Sequence, residues 1–433
     1  MKILTISARY PPFHAGGYEL RCKNIMDELH KRGHKISVLT SEQGKEYHHA
    51  GEDINPYPVH RCLSSRVRSR SIIDKLTRNP NTHYFGLLLT FMRELALDFR
   101  DLSRLESQIR SFQPDVLYLG HITVFSRSLM PFLAEVGVPL VYDEGGAGLI
   151  DCWQERGIWY KFVTMDFTRY SIVDFFQNFF CSLVNRLSAN RLKRKWMWPQ
   201  NFPVFFNSRL NMRNATAVGV PVHNAQVIHS GLDLNLFSFR LRQSLDVPLV
   251  IFLPGRIEPR KGQLDGVHLL LALREHGINA KMIIAGQLGD KNYYQKLLLE
   301  ISAFQLEEQI TILPMVDHKK LAGFYHQADI CFFSSSYRTG FSRISLEAMA
   351  CGCIIFSYGN EGSDEVIHNG STGFIVAPQD FGEAVSKITE LLASPGQVQE
   401  VSVRAREFTE GNFSMPVYVD KIEKLISDTV KPG

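Results

Sequence analysis

The sequence of 433 residues contains no stretch of about 18 uninterrupted apolar residues, which argues against a transmembrane helix. Its opening run, Met1–Ser7, is short and has no small-residue cleavage site behind it, so it reads as a first strand and not as a signal peptide. The resulting expectation is a cytoplasmic protein that touches at most the inner face of a membrane. The seven cysteines, Cys22, Cys62, Cys152, Cys181, Cys331, Cys351 and Cys353, are odd in number and scattered. Cys351 and Cys353 are one residue apart with no matching pair elsewhere, a poor zinc pattern; buried thiols in a reducing compartment are the expectation. The net charge of +4 is small for this length, so composition points to no nucleic-acid partner, although local basic patches keep their own meaning. Internal repeats and low-complexity tracts are lacking too. What remains is an ordinary globular composition, 45% apolar and 21% charged, long enough for two domains.

Strand-like and helix-like patterns alternate along most of the chain. Ile3–Ser7 is an apolar strand, Glu19–Arg32 carries Ile25, Met26 and Leu29 at helical spacing, Gly33 ends it, and Lys35–Thr40 is the next strand. This is a βαβ unit, which implies parallel strands. Asp115–Leu119 and Val138–Tyr142 continue the series, the first preceded by a polar helix ending near Phe112. The alternation restarts with Pro248–Pro254, Ala280–Ala285, Ile310–Leu313, Ile330–Phe333 and Ile354–Ser357, separated by segments of helix length. Two sets of βα units predict an α/β protein of two doubly wound domains. We place them at residues 1–240 and 241–410, with a closing helix over 411–433 that packs back on the N-terminal domain and has Ser414 as N-cap and Pro416 in its first turn. Two segments break the rhythm: the basic Arg61–Phe99 and the aromatic-rich Asp151–Phe206.

Several motifs sit where strands run into helices. Gly16-Gly17 follows the first strand and the turn Pro11-Pro12; it fits either a phosphate or sugar contact at a helix N-terminus or a plain tight turn. Gly255-Arg256…Lys261-Gly262 follows Pro248–Pro254 directly. Ligands of open α/β sheets bind at the carboxyl ends of strands, so Arg256 and Lys261 stand where a diphosphate would bind and where fixed cations neutralise a leaving group. Gly286 and Gly289 form a third strand-to-helix turn, equally readable as a turn or a site. Ser334–Gly352 runs from a strand through a polar loop into a helix bearing Glu347. Loop N–H groups near Gly340–Arg343 suit phosphate, and Glu347, flanked by Leu346 and Ala348, needs a partner if buried. Gly362–Gly373 adds an acidic pair and glycines, expected to complete the wall of a cleft.

Together these motifs resemble family-4 glycosyltransferases of the GT-B fold. The resemblance rests on Gly255-Arg256…Lys261-Gly262, on Gly340-Phe341…Leu346-Glu347-Ala348, on Glu365…Gly370-x-x-Gly373, and on His229–Phe237. It covers the C-terminal half densely and the first 40 residues or so fairly well. It implies two Rossmann-like domains facing an interdomain cleft, a nucleoside diphosphate-sugar donor, retention at the anomeric carbon, and neither metal nor cofactor. By position, Arg256 and Lys261 would bind the diphosphate and Glu347 the ribose hydroxyls. Gly16 or Gly17 would lie against the donor phosphates or sugar, and Gly286, Thr339, Gly340, Phe341 and Ser342 would complete the donor site. Two positions depart from the family pattern. The first Glu of its Glu-x7-Glu falls on Thr339, a hydroxyl without charge, flanked by Arg338 and Arg343. The catalytic histidine of the family's Asp-x-x-His-x-His is out of register, and His121 stands one place late. His121 is taken as the catalytic candidate beside Arg256 and Lys261, with a structural histidine at a strand end as the other reading.

The resemblance further implies front-face displacement, transfer to a hydroxyl of a glycan or lipid-linked acceptor, and a place in cell-surface polysaccharide or lipopolysaccharide synthesis. Arg186–Trp198 has the composition of a membrane-surface patch, cations with tryptophans, and equally that of an exposed helix. An inactive donor-binding homologue acting as a partner or regulator, and a GT-B phosphorylase or epimerase, stand as the rival readings.

Overall fold

The computed structural model describes residues 1–13, 17–42, 55–66, 84–146, 148–155, 157–163, 171–189, 191–192, 197–199, 202–222, 224–313, 316, 318–338 and 340–430. Gly16 and Thr339 lie outside them, as do residues 190 and 193–196 of the basic patch. The chain divides into two compact units. The first comprises Met1–Phe206, Met212–Val227 and Lys421–Gly433, and the second Asn207–Asn211 and Ile228–Asp420.

The first unit is built on β1 (Lys2–Ser7), β2 (Lys35–Ser41), β3 (Val59–Leu63), β4 (Val116–Leu119), β5 (Leu140–Glu144), β6 (Pro203–Phe206) and β7 (Asn224–Val227). They form one parallel sheet in the order β3-β2-β1-β4-β5-β6-β7. Its helices are α1 (Gly17–Lys31), α2 (Tyr84–Phe112), α3 (Leu129–Leu133), α4 (Gly148–Gln154), α5 (Gly157–Val163) and α6 (Ser171–Leu187). The helix α1 forms as its spacing predicts: Ile25, Met26 and Leu29 are fully buried, and Gly33 at φ 89° ends it. Strands β3, β6 and β7 were not anticipated from the sequence.

After α7 (Arg209–Ala217), the second unit carries β8 (Leu249–Pro254), α8 (Gln263–Glu275), β9 (Ala280–Ala285), α9 (Lys291–Ala303), β10 (Ile310–Leu313), α10 (His318–Gln327) and β11 (Ile330–Phe333). The remaining elements are α11 (Arg343–Ala350), β12 (Ile354–Ser357), β13 (Phe374–Ile375), α12 (Phe381–Ala393), α13 (Pro395–Phe413) and α14 (Met415–Val430), the last of which belongs to the first unit from Lys421 on. Its parallel sheet has the order β10-β9-β8-β11-β12-β13. Its strands β8, β11 and β12 are largely buried apolar runs because helices cover both faces, while β9 and β10 expose Lys281 and Thr311. Leu249, Ile251 and Leu253 face one cluster, while Phe252, Cys331 and Phe333 face the other.

Each sheet therefore reverses its winding at one place, between β1 and β4 in the first unit and between β8 and β11 in the second. At such a switch point the two following loops diverge to opposite faces and leave a crevice at the carboxyl ends of the strands, where ligands bind in open α/β sheets.

Candidate functional site

In the second unit, the loops after β8 and β11 flank the switch point, and they carry most of the residues the motifs single out. The two loops are tied together. Ser334 Oγ donates to the Gly262 carbonyl at 2.9 Å, and the Ser336 N–H donates to the Arg260 carbonyl at 2.9 Å. Gly262 has φ 69°, and a Cβ there would lie 2.3 Å from the Ser334 carbonyl oxygen, so the close approach needs glycine. Gly286, at the end of β9, backs the same loop, because the Gly255 N–H donates to the Ala285 carbonyl at 2.9 Å. Arg256 is about half exposed and only loosely paired, 3.9 Å from Glu258.

Lys261 lies deeper, and its Nζ is 2.5 Å from Glu361 Oε1. Glu361 also accepts a hydrogen bond from Ser335 Oγ, and its carbonyl takes the Ser342 N–H at 2.7 Å. It is buried at φ 53°, a left-handed conformation unusual for glutamate, and Gly362 follows at φ 69°. Gly362 in turn abuts Phe341 and Gly340. Glu361 thus joins the Lys261 loop to the segment leading into α11. No sequence signal marks it, since a glutamate carries no preference for positive φ.

Ser342 is the N-cap of α11, its Oγ accepting from the Ser345 N–H. Gly340 sits at φ 99° and donates its N–H to Asn211 Oδ1 at 3.0 Å. Phe341 packs on His229, with ring centroids 5.1 Å apart. Glu347 is 4% exposed; Tyr325 donates its hydroxyl to Oε2 at 3.0 Å, and Arg343 Nε lies 3.7 Å from Oε1. The partner that burial demands is therefore present. Glu365 differs from the expected cleft wall. It turns inward, taking the N–H groups of Arg209 at 2.8 Å and Leu210 at 3.1 Å and pairing with His229 at 2.8 Å. Burial opposes its ionisation, but these partners outweigh it and hold the carboxyl below its ordinary range. Glu365 is a clasp on the start of α7.

In the first unit, His121 follows β4 at the other switch point. Its carbonyl accepts the Ala8 N–H, so the loop after β1 is braced by the loop after β4. His121 Nε2 meets Thr123 Oγ1, its ring lies 5.2 Å from that of Tyr18, and burial lowers its pKa. Gly17 is the first residue of α1. His121, Tyr18, Asp143, Glu144 and Gly145 line a cavity of about 300 Å³. Asp143 is fully buried and holds Arg21 and the Tyr118 hydroxyl, the latter at 2.7 Å.

Glu144 is a second residue that sequence reasoning missed. Its signal was present, an acidic pair and a glycine run directly after an apolar strand. Burial pushes its carboxyl up to about 7, against the pull of N–H groups from Gly146, Leu149 and Gly148. The folded chain thus binds this proton more tightly than the unfolded chain, whose group titrates near 4.5. The associated stability is complete below about pH 4.5 and is lost as pH rises through about 7, a change of about 3 kcal/mol. Denaturant titrations of the wild type and Glu144→Gln should show the difference in their unfolding free energies falling by about this amount across the window. A difference independent of pH would refute it.

Among the described residues no group of three or more His, Cys, Asp or Glu side chains is arranged to hold a metal ion. Nor is any helix among them long and apolar enough to cross a membrane.

Residues 239–408 match the model of the family described as glycosyl transferases group 1. The chain is 26% identical over 421 residues to the glycogen synthase of Mycobacterium tuberculosis (strain CDC 1551 / Oshkosh), covering 95% of this chain and 91% of that protein. It is 24% identical over 201 residues to the capsular polysaccharide biosynthesis glycosyltransferase CapM of Staphylococcus aureus, 46% of this chain and 51% of CapM. Among solved structures, Anabaena Alr3699/HepE in complex with UDP is similar with a TM-score of 0.65 at 16% identity, over 99% of this chain and 100% of that one. Its complex with UDP-glucose matches with a TM-score of 0.63 at 17% identity, over the same 99% and 100%.

Proposed function

The chain belongs to the glycosyl transferases group 1 family and has the GT-B fold, and from that premise we propose that it moves a sugar from a nucleoside diphosphate-sugar to a hydroxyl of a glycan or lipid-linked acceptor with retention. The observation that carries this reading is the pair of tied loops at the β8/β11 switch point. They carry Arg256 and Lys261, with Lys261 joined through Glu361 to the segment that starts α11 and Glu347 held in place by Tyr325.

In this reading Arg256, Lys261 and the N-terminus of α11 hold the diphosphate, while Gly340, Phe341 and Ser342 shape the loop that leads into it, the N–H groups of Gly340 and Ser342 being given to Asn211 and Glu361. Glu347 accepts from the ribose hydroxyls, and Gly286 keeps the β8 loop close to the sheet. By sequence position alone, Thr339 would offer the sugar a hydroxyl and Gly16 and Gly17 would contact the donor phosphates or sugar. The cavity beside His121 takes the acceptor. The acceptor oxygen forms its bond to the anomeric carbon on the face the diphosphate leaves. The carbon–oxygen bond to phosphate breaks with its electron pair going to the diphosphate, and the acceptor proton passes to a phosphate oxygen. The two side-chain cations stabilise the charge that develops there. The UDP-bearing Anabaena structures support such a donor, and the name of CapM supports a role in cell-surface polysaccharide synthesis.

The test is diphosphate release from a panel of nucleotide-sugars, read with and without added glycan acceptors. Release with one donor establishes the activity. Donor binding without any release would leave the inactive donor-binding reading in its place.

A further inference from the structure

The cavity of about 300 Å³ at the end of β5 carries charge of one sign. Asp143, Glu144 and Asp151 line it, and among the described residues no Arg or Lys does. Asp143 is answered by Arg21. Arg127 is committed to Glu155, 3.3 Å away, and Arg9 acts on the His121 ring without being part of the lining. His121 itself adds no charge at neutral pH, because burial lowers its pKa. Among the described residues, Glu144 and Asp151 are thus left without a cation.

Glu144 accepts the N–H groups of Gly146 and Leu149, each at 2.6 Å, and of Gly148 at 3.3 Å. These bonds fix the carboxylate in place but do not neutralise it, and burial still pushes its carboxyl up to about 7. Asp151 stands exposed in the first turn of α4, and among the described residues its side chain makes no hydrogen bond or ion pair. Tyr142 is a separate pointer to a ligand. It is 1% exposed and borders the cavity, yet its hydroxyl has no hydrogen-bond partner among the described residues. A buried hydroxyl left unmatched is costly unless something in the cavity completes it. Two carboxylates without a cation, beside an open hydroxyl, suit a polyhydroxylated ring that carries an ammonium group. A phosphate or a carboxylate in the same place would meet like charge.

We propose that this cavity binds a sugar with a free amine, Glu144 and Asp151 taking the ammonium and Tyr142 a ring hydroxyl, and that it turns away phosphorylated and carboxylated sugars. The proposal names the class of acceptor and so rests on the reading of the chain as a sugar transferase. Binding in the cavity nevertheless needs no donor and can be measured alone.

The test is a ligand-observed NMR titration of the full chain with glucosamine, glucose, N-acetylglucosamine and glucose 6-phosphate. Glucosamine should bind about 10-fold or more tighter than glucose or N-acetylglucosamine, which keep the ring but lack the charge. Glucose 6-phosphate should bind more weakly than glucose. Glu144→Gln should lower glucosamine binding about 10-fold, and Asp151→Asn about 3-fold, with glucose binding unchanged in both. Asp151→Asn alters an exposed side chain and decides the matter should Glu144→Gln fold poorly. Equal binding of glucosamine and glucose, or a glucosamine preference untouched by Asp151→Asn, would overturn the proposal. An amine preference with no diphosphate release from any nucleotide-sugar would keep the site and remove the transferase reading. Release without an amine preference would do the reverse.

Discussion

Replacing Lys261 with alanine is expected to lower turnover about 100-fold or more, the scale on which one preorganised group stabilises charge that forms only in the transition state. The loss should fall on kcat at saturating donor, because the leaving diphosphate gains its charge after binding. The structure adds a complication absent from the sequence. Lys261 is the cation of Glu361, 2.5 Å away and largely buried, so its removal also strands a carboxylate. That should cost about 1–3 kcal/mol of stability, the lower side of the range for a broken buried pair, since Lys261 keeps 19% exposure. The two effects separate in the double variant Lys261→Ala/Glu361→Gln. Its melting temperature should recover while its turnover stays low. Recovery of both would make Lys261 a structural partner of Glu361 and remove it from the chemistry.

A second large effect is expected at Gly286, and it is one of folding. A Cβ on Gly286 would lie 1.9 Å from the Gly255 carbonyl oxygen and 2.5 Å from its carbonyl carbon. These are backbone atoms at the end of β8, next to the Arg256 loop, and no rotamer change relieves them. Gly286→Ala should therefore destabilise the protein by about 3 kcal/mol or more, with the strands forced apart at the carboxyl edge. The melting temperature should fall by roughly 6–12 °C, and donor binding should weaken as the Arg256 loop shifts. Gly323→Ala is the control. Gly323 is exposed within α10, nothing lies within 4 Å of the new Cβ, and its φ is ordinary. That change should stabilise by about 0.5–1 kcal/mol through helix propensity. If both variants melt alike, the close approach at Gly286 carries no energetic weight.

The contrast between these residues shows what the sequence made legible. Strands β8, β9, β11 and β12 announce themselves because they are short, mostly buried and almost wholly apolar, Lys281 in β9 and Ser357 in β12 excepted, and are bounded by glycine and polar loops. Arg256, Lys261 and Glu347 were legible because strand ends are where such sheets hold ligands, and the order of motifs matched a family. Strand β6 was hidden because its run Pro203–Phe206 continues an aromatic-rich segment that reads equally as a buried helix. Strand β7, Asn-Ala-Gln-Val at the sheet edge, has too little apolar character to register. Glu361 could not be read at all. Its place depends on a left-handed backbone and on two loops far apart in sequence, neither of which leaves a local signature. Glu365 was legible as part of a motif, but its task was not: a carboxylate that takes two backbone N–H groups and a histidine is committed to structure. Gly16 and Thr339 belong to the reading of the site through their positions in the sequence.

The most direct measurement is calorimetric titration of the full chain with UDP, GDP and ADP in the presence of a chelator. One of them should bind without metal. Lys261→Ala should weaken this binding, and Glu347→Gln should weaken it about 10- to 100-fold while the fold persists, because the amide forfeits a charge-assisted bond to ribose. Binding of none, binding only with added divalent metal, or equal binding by the Glu347→Gln variant would contradict the assignment of the β8/β11 switch point as the donor site.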